Sequence, residues 1–280
     1  MSREDRIMIF KDTERLCTTD KRLIKSIEES VKNQELILEA DNVGDINPGR
    51  FEERTKIVVS HKRSFEAASA YKGKKVAVLN FASASNPGGG VVKGSSAQEE
   101  CLCRCSTLYF ALNTDKMWDG FYKPHRWAKN PIHNDDIIYT PGVTVFKTDT
   151  FSPKLMDENE WYEVDVITCA APNLKDNPTN QYNPSDGDAV KVSDEELQAL
   201  HEKRLRRILD VSVKHECDVV ILGAFGCGAF RNDPRVVAAA AKKVLPEYLH
   251  AFETIEYAIY EGRGETRNYD AFNSALFRVK

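Results

Sequence analysis

The chain has 280 residues, a hydrophobic fraction of 41% and a formal net charge of −4, which fit one large α/β domain or one domain with an extension. The negative net charge argues against electrostatic binding of bulk nucleic acid, so an anionic ligand needs a local site. Because the start lacks the apolar core of a signal peptide and no later apolar run is long enough to cross a bilayer, we expect a cytoplasmic protein with no membrane partner. Seven cysteines without a disulfide-like spacing predict reduced thiols.

Secondary-structure signals change character near residue 55. Residues 1–55 predict a helical N-terminal extension, in which Thr19 and Asp20 cap a helix over Lys21–Gln34. Residues 56–280 alternate strand and helix patterns, which predicts one α/β domain with a largely buried sheet. The predicted strands are Lys56–Ser60, Lys75–Ala82, Ile137–Thr140 and Val143–Phe146 on either side of a turn, Val164–Ala171, Asp218–Gly223 and Thr254–Tyr260. The predicted helices are Ser64–Tyr71, Ala97–Leu112, Ser193–His215, Asp233–Leu249 and Arg267–Phe277, and Asn173–Ala189 is predicted as a loop.

A triple glycine, Gly88–Gly90, follows the strand Lys75–Ala82 and precedes the helix that starts near Ala97. Such a turn points unpaired backbone N–H groups outward beside the positive end of a helix dipole, which suits phosphate. A plain strand–helix turn with positive φ accounts for one glycine, whereas three in a row after a proline favour a ligand site. We call Gly88–Gly90 the first glycine loop.

A second glycine loop, Gly223–Phe230, also follows a buried strand and precedes a helix, which starts near Asp233 and Pro234. Because the carboxyl ends of such strands meet at one edge of a sheet, the two loops predict a clamp on a diphosphate. Neither loop has the pattern of a P-loop or of a dinucleotide-binding Rossmann domain, which argues against ATP hydrolysis. Phe225 and Phe230 either stack on a base or ribose or pack the loop against the core.

Two adjacent carboxylates, Glu99 and Glu100, open the helix that follows the first glycine loop. Ser96 and Glu99 fit a capping box, which gives Glu99 a structural explanation, whereas Glu100 has none. Neighbouring helix positions cannot straddle a sugar as the two carboxylates of an ordinary glycosidase do. In glycosyl chemistry one carboxylate should therefore act as acid and base while the other holds hydroxyls.

Other reactive side chains favour structural roles. Cys101, Cys103 and Cys105 alternate along a helix and point to opposite sides, so they cannot share one metal ion, and we expect no metal or cofactor. Cys227 is interpreted as structural or as lining its loop. The histidines show no ligand spacing, and Trp118–Asn134 is predicted to be a surface excursion. Arg231 and Arg263 are weaker candidates for phosphate contacts, because exposed arginines are common.

The stretch NFASASNPGGGVVKGSSAQEE, residues 80–100, resembles the signature of microbial-type poly(ADP-ribose) glycohydrolases of the macrodomain superfamily. The second glycine loop with the following Arg-Asn-Asp-Pro is similar to that family's second phosphate loop, and the resemblance runs from Lys56 to the C-terminus. It implies a three-layer macrodomain-like sandwich, with a mixed sheet between helices on both faces and ADP-ribose bound at the strand ends.

The resemblance also implies residue roles. Glu100 would protonate the leaving ribose 2′-oxygen of a ribose–ribose bond and then deprotonate the attacking water, assisted by the substrate diphosphate. Glu99 would hold hydroxyls of the distal ribose. The implied substrate-binding residues are Asn80, Asn86, Gly88, Gly89, Gly90, Val91, Gln98, Gly223, Phe225, Gly226, Cys227, Gly228, Ala229 and Phe230.

Two features depart from the family pattern, namely Lys93 between the first glycine loop and the helix, and the tract Met117–Asp136, which would cap the adenosine end. The implied partners are ADP-ribose, poly(ADP-ribose) and ADP-ribosylated macromolecules. Two alternatives stay open: a macrodomain that binds ADP-ribose without cutting, and a hydrolase of mono-ADP-ribosyl or O-acetyl-ADP-ribose linkages.

Overall fold

The computed structural model describes residues 1–176, 190–262, 264–277 and 279. Arg263 and most of the predicted loop Asn173–Ala189 lie outside these residues. The helices are α1 Arg3–Thr19, α2 Lys21–Asn33, α3 Ser64–Ala68, α4 Gln98–Cys105, α5 Leu108–Leu112, α6 Asp115–Met117, α7 Lys123–Ala128, α8 Asp194–Lys214, α9 Pro234–Val244 and α10 Arg267–Leu276. The strands are β1 Glu35–Ile37, β2 Lys56–Ser60, β3 Val76–Phe81, β4 Ile137–Val145, β5 Tyr162–Cys169, β6 Val219–Leu222 and β7 Thr254–Ala258.

The described strands form one mixed sheet in the order β1-β4-β5-β3-β6-β7-β2. β4 pairs antiparallel with β1 and β5, and the remaining neighbours are parallel. β3 and β6 are parallel neighbours, so the two glycine loops that follow them lie at the same edge of the sheet, as predicted. The α/β class and the mixed sheet are confirmed.

Alternating side chains of the central strands feed two separate apolar cores. On one face, Leu79 of β3 belongs to the core that contains Ile208 of α8 and Val237 of α9. On the other face, Val78 belongs to the core that contains Phe65 of α3 and Leu102 of α4. Because successive strand residues point to opposite faces, the sheet becomes the middle of three layers.

The N-terminal residues form the two helices α1 and α2, which confirms the predicted helical segment. Asp20 caps α2, and its carboxylate accepts from the backbone N–H of Arg22 and Leu23. The same segment also contributes β1, which adds an antiparallel strand to the sheet edge; three residues are too few for a strand pattern in the sequence. The division of the chain into two domains at residue 55 stays a prediction.

The predicted helix Ala97–Leu112 is wrong in its continuity, because the chain leaves the helical conformation at Ser106 and forms α4 and α5. Ser106 is extended, with φ −148°, and forms an isolated bridge to Val145. Thr107 N–H donates to Thr144 O at 3.1 Å. The end of β4 therefore captures the backbone at this point, a long-range contact that local propensity does not reveal. The predicted strand pieces around Pro141 form the single strand β4 with a register shift.

The segment Trp118–Asn134 is a surface excursion only in part: Trp127 is 75% exposed, whereas other side chains reach the core. Phe121 and Tyr122 are fully buried, and His125 is 7% exposed. Arg204 of α8 fixes the end of the segment and the residue after it, with Nη2 donating to Ile132 O at 3.1 Å and Nε donating to Asp135 Oδ1 at 2.6 Å. Within the described residues, no helix combines the length and the apolarity needed to cross a membrane.

Candidate active site

A cleft of about 440 Å³ opens at the edge of the sheet where the parallel strands end. Segments that follow β2, β3, β5, β6 and β7 line it, together with the first turn of α4. Of the predicted site residues, eight line this cleft: Gln98, Glu99, Glu100, Phe225, Gly226, Gly228, Ala229 and Phe230. The other eight do not line it and belong to β3, to the first glycine loop and its neighbours, or to the second loop: Asn80, Asn86, Gly88, Gly89, Gly90, Val91, Gly223 and Cys227.

Glu99 is 3% exposed and is held by groups from β3 and from the segment after it. Ser83 N–H donates to Glu99 Oε2 at 2.8 Å, and Asn80 Nδ2 donates to Oε1 at 3.2 Å. The predicted capping box with Ser96 is wrong, because Ala97 occupies the cap position and the carboxylate of Glu99 turns towards β3 instead. Asn80 also donates to Thr168 Oγ1, so this side chain links Glu99 to β5.

Glu100 is 7% exposed and has two oxygens in different environments. Its Oε1 accepts from Gly90 N–H at 2.8 Å, and its Oε2 has no hydrogen-bond partner among the described residues. A buried acceptor without a partner is costly, which points to a partner that arrives with a ligand.

Gly89 separates the two carboxylates and has φ +58°. A Cβ at this position would lie 2.5 Å from Glu100 Oε1 and 3.0 Å from Glu99 Oε2. The glycine therefore makes room for both carboxylates, in addition to adopting a conformation that L-residues avoid.

Gln98 fixes the helix that carries both carboxylates. Its Oε1 accepts from Phe81 N–H at 2.9 Å, and its Nε2 donates to Leu79 O at 2.7 Å and to Ser64 Oγ at 3.0 Å. The amide thus bonds to the backbone of β3 as a donor and as an acceptor, which an ionised glutamate of the same length cannot do. Gln98 therefore fixes the position of the first turn of α4 relative to the end of β3.

The close carboxylates predict a stability that depends on pH. Burial, followed by the charge of Glu100, raises the pKa of Glu99 from 4.5 to about 8. Between these values the folded protein keeps a proton that the unfolded chain releases, so the free energy of unfolding falls as pH rises, by up to about 1.4 kcal/mol per pH unit. Urea unfolding of wild type and Glu99→Gln between about pH 5 and about pH 8 should show a steeper fall in the wild type, since Asp149, whose pKa is raised to about 6, lowers the stability of both proteins only in the acidic part of this range. The exposed Glu195→Gln is the control, and a variant at Glu99 that keeps the wild-type slope would contradict the raised pKa.

The other glycines of the first loop face protein. A Cβ on Gly88 would lie 2.8 Å from the ring of Tyr109, and one on Gly90 would collide with Ser95 Oγ. Val91 is fully buried. These three residues therefore shape the loop from behind, and the backbone N–H of Gly90 is used on Glu100.

Asn86 is held from outside by the tract Met117–Asp136. Arg126 donates from Nη2 to Asn86 Oδ1 and from Nε to Ser85 O, both at 2.7 Å, and its guanidinium stacks on Trp118 at 4.5 Å. Residues 117–136, all of which the structure describes, contribute nothing to the lining of the cleft. The tract supports the first loop in this structure, and its predicted role over adenosine stays a prediction.

The second glycine loop is tied together by Asn232, which sequence reasoning did not single out. Its Nδ2 donates to Pro172 O at 2.7 Å and to Gly226 O at 3.1 Å, and its Oδ1 accepts from His201 Nε2 at 2.8 Å. Gly226 has φ +78°, and a Cβ there would lie 2.8 Å from Ala171. The sequence signals for Asn232 were its place in the Arg-Asn-Asp-Pro that follows the loop and its position immediately before the helix cap Asp233.

Aromatic and sulfur groups of the second loop differ in exposure. Phe225 is 6% exposed and packs on Phe81, with ring centroids 5.5 Å apart, whereas Phe230 is half-buried beside His133. Both still line the cleft. Burial raises the pKa of Cys227, so its thiol stays neutral despite the adjacent helix start. Arg231 pairs with Asp176 at the surface.

The residues at one corner of the cleft were not predicted from the sequence. Arg63 stacks on Tyr260 at 3.8 Å and lies 3.9 Å from Asp149 Oδ1. Asp149 is buried, accepts from Phe65 N–H, and has its pKa raised to about 6 by burial. Arg63 and Tyr260 follow β2 and β7, so the rule that ligands meet strand ends could have found them. Asp149 follows the antiparallel β4 and had no such signal.

Metal-ligating side chains do not cluster in the described part of the chain: no group of three His, Cys, Asp or Glu is placed to hold one ion. Cys103 and Cys105 are fully buried, and burial raises the pKa of each thiol well above its ordinary value. Cys101 lines the cleft, and Arg104 donates to its sulfur at 3.2 Å.

Comparison with known proteins agrees with this geometry. The family model described as microbial-type PARG, catalytic domain, matches residues 5–148, just over half of the chain. The poly(ADP-ribose) glycohydrolase (PARG) of Thermomonospora curvata is 27% identical, with TM-score 0.80 over 97% of this chain and 99% of that one. The PARG of Deinococcus radiodurans in complex with ADP-ribose is 30% identical, with TM-score 0.76 over 91% of this chain and 98% of that one. No curated protein sequence matches.

The family model and the structural matches test both the motif at residues 80–100 and the fold that it implies. The family model spans the first glycine loop and the Glu99–Glu100 pair, and the structural match to the Thermomonospora protein covers 97% of this chain. The resemblance inferred from residues 80–100 is thereby confirmed, and so is the macrodomain-like fold that it implied. The chain belongs to the family of microbial-type PARG catalytic domains, a family of poly(ADP-ribose) glycohydrolase enzymes.

Proposed function

We propose that this chain hydrolyses the ribose–ribose O-glycosidic bonds of poly(ADP-ribose) and releases ADP-ribose, with Glu100 as general acid and base. The observation that carries the proposal is the asymmetry of Glu100. Gly90 N–H holds Oε1 at 2.8 Å, while Oε2 has no partner among the described residues and the side chain lines the cleft. One oxygen is oriented by the protein and the other is left for the substrate.

The Glu99–Glu100 pair supplies the proton. Burial and the charge of Glu100 raise the pKa of Glu99 to about 8, so Glu99 holds a proton at neutral pH, and both carboxylates lie within 3.0 Å of the Cβ position that Gly89 lacks. A bound diphosphate adds negative charge, which favours retention of this proton. When the proton is on Glu100, the donors Ser83 N–H and Asn80 Nδ2 stabilise the ionised Glu99, which accepts from hydroxyls of the distal ribose.

The reaction then follows in two steps. The bond between the anomeric carbon of the distal ribose and the leaving 2′-oxygen breaks, and that oxygen takes its electron pair and the proton of Glu100. The oxocarbenium-like ribose is stabilised by the nearby diphosphate and by ionised Glu99. Water adds to the anomeric carbon and gives a proton to Glu100, which restores the pair. General acid–base assistance of this kind contributes about 10²–10⁴-fold.

The second glycine loop is proposed to hold the diphosphate. Gly226, Gly228 and Ala229 line the cleft opposite the carboxylates, and Asn232 fixes the loop without entering the cleft. Phe230, at the same wall, contacts a ribose or the adenine. The Deinococcus relative, whose structure contains ADP-ribose, supports this ligand class. ADP-ribosylated macromolecules as partners and a cytoplasmic location stay predictions from the sequence.

The test of the function is release of ADP-ribose from purified poly(ADP-ribose), with ADP-ribose affinity measured in parallel. Release together with binding supports the proposal. Binding without release from poly(ADP-ribose) would contradict it; mono-ADP-ribosylated protein and O-acetyl-ADP-ribose then separate a hydrolase of those linkages from a protein that only binds ADP-ribose.

Gly228→Ala is expected to reduce ADP-ribose affinity by about 10-fold or more while leaving stability unchanged. A Cβ at Gly228 meets no atom within 4 Å and φ is not in the left-handed region, so the empty cleft accepts the methyl group. A bound diphosphate close to this backbone leaves no room for the methyl group. A 10-fold loss of affinity corresponds to about 1.4 kcal/mol of binding free energy. Calorimetric titration with ADP-ribose measures the affinity, and urea unfolding measures the stability.

Gly49→Ala is the matched control for that variant, because its φ is also unstrained and it lies in a turn before β2. Wild-type affinity in Gly228→Ala would show that the ligand does not approach this part of the loop.

A further inference from the structure

Three consecutive carbonyl groups that follow the first glycine loop each accept from a different arginine. Arg3 Nε donates to Lys93 O at 2.7 Å, and Arg6 Nε donates to Gly94 O at 2.6 Å. Arg104 Nη1 donates to Ser95 O at 2.6 Å. All three carbonyls belong to the spacer, residues 91–97, which joins the first glycine loop to α4. Lys93, the apparent departure from the family pattern, takes part through its backbone.

The spacer lies directly against the group that orients Glu100. Ser95 N–H donates to Gly90 O at 3.1 Å, and Ser95 Oγ occupies the place where a Cβ on Gly90 would be. Gly90 N–H in turn holds Glu100 Oε1. A displacement of the spacer therefore moves Gly90 and with it the donor that orients the carboxylate.

The first helix is built to approach the spacer closely. A Cβ on Gly94, where φ is +75°, would lie 2.6 Å from Arg3 O, so the first turn of α1 packs on bare backbone. Ser2 and Asp5 form a capping box that fixes this turn. Arg3 and Arg6 are spaced so that both reach the same side of the helix.

Further along, α1 is anchored to α4, to α5 and to the segment that follows β4. Phe10 is 1% exposed and meets Tyr109 edge-to-face at 5.0 Å. Thr13 Oγ1 donates to Arg104 O at 2.6 Å and accepts from Lys147 Nζ at 2.9 Å. The position of Arg3 and Arg6 relative to the spacer is thus set by contacts outside the active site.

We propose that Arg3 and Arg6 are positioning residues for Glu100, acting with Arg104 through the carbonyls of residues 93–95. The proposal rests on the proposed role of Glu100. It gives the N-terminal helix, to which the sequence assigned no role, a part in catalysis without contact to the substrate. Guanidinium groups suit this task, because their rigid forked donors hold a backbone oxygen in one place and bond it more strongly than a neutral donor does.

The test compares wild type with Arg3→Gln/Arg6→Gln, using Arg15→Gln as the control. Arg15 lies on the same helix and is exposed, and it pairs with Asp12 rather than with the spacer. In the double variant we expect kcat to fall by about 10–100-fold with KM and ADP-ribose affinity within about threefold of wild type, because misplacing a catalytic group affects only the reacting step. We also expect faster amide hydrogen exchange in residues 90–97.

Each outcome decides the proposal. Wild-type kcat with unchanged exchange in residues 90–97 overturns it, and so does a loss of kcat that Arg15→Gln shares. Arg3→Gln alone, which removes the more exposed contact, should lower kcat less at unchanged KM, and it serves if the double variant does not fold. Exchange does not require turnover: if wild type releases nothing from poly(ADP-ribose), the proposed function fails, while the exchange result still decides whether the arginines fix the spacer.

Discussion

Glu100→Gln is expected to lower kcat on poly(ADP-ribose) by about 10²–10⁴-fold, the range that general acid–base assistance contributes. ADP-ribose affinity should stay within about threefold, because glutamine keeps the shape of the side chain and its Oε1 still accepts from Gly90 N–H. The measurement pairs initial rates of ADP-ribose release with calorimetric binding of ADP-ribose to both proteins.

The control for charge and composition is Glu195→Gln, which lies in the exposed first turn of α8. It should match wild type in rate, binding and stability. If Glu100→Gln kept more than about a tenth of the wild-type kcat, the acid would have to be another group, since a loss below tenfold is smaller than this kind of assistance. Glu99→Gln would then be the next variant.

Gly89→Ala is expected to abolish turnover, with a loss of at least about 100-fold in kcat, because the added methyl group takes the space of both carboxylates. It would lie 2.5 Å from Glu100 Oε1 and 3.0 Å from Glu99 Oε2. The variant should also lose about 1–2 kcal/mol of stability from its left-handed backbone. Rates of ADP-ribose release and urea unfolding measure the two effects.

Gly73→Ala separates these effects, since Gly73 has φ +89° and a Cβ there meets nothing within 4 Å. It should show the same loss of stability with wild-type kcat. Equal losses of activity in both variants would mean that backbone strain, rather than contact with the carboxylates, accounts for the result at Gly89.

Glu100→Gln and Gly89→Ala test different properties of the Glu99–Glu100 pair. Glu100→Gln removes the acidic proton of residue 100 but keeps the shape of its side chain. Gly89→Ala keeps both carboxyl groups but displaces them. If both lose turnover while only Gly89→Ala loses stability, then catalysis depends on the chemistry of Glu100 and on the space that Gly89 leaves. Glu99 and Glu100 can therefore act together only because the first glycine loop packs against both carboxylates without a side chain at Gly89.

Features that depend on near neighbours along the chain were predictable from the residues alone. The two glycine loops follow apolar strands, and the carboxyl ends of parallel strands share an edge, so their meeting at one cleft was predictable. The helices α2 and α8 were predictable from their caps at Asp20 and Ser193, because capping is a contact over three or four residues. The residues 80–100 identified the family, which the comparisons confirm.

The contacts that hold these residues in place became visible only in the folded molecule. Glu99 is bound by Asn80 and Ser83 rather than capping its own helix, and α4 ends early because β4 captures the chain at Ser106. The arginines that hold the spacer begin at Arg3, about ninety residues away in sequence. Local propensity carries no information about partners at such separations, because they meet only when the layers pack, and that packing turned a motif of loops and carboxylates into an oriented site.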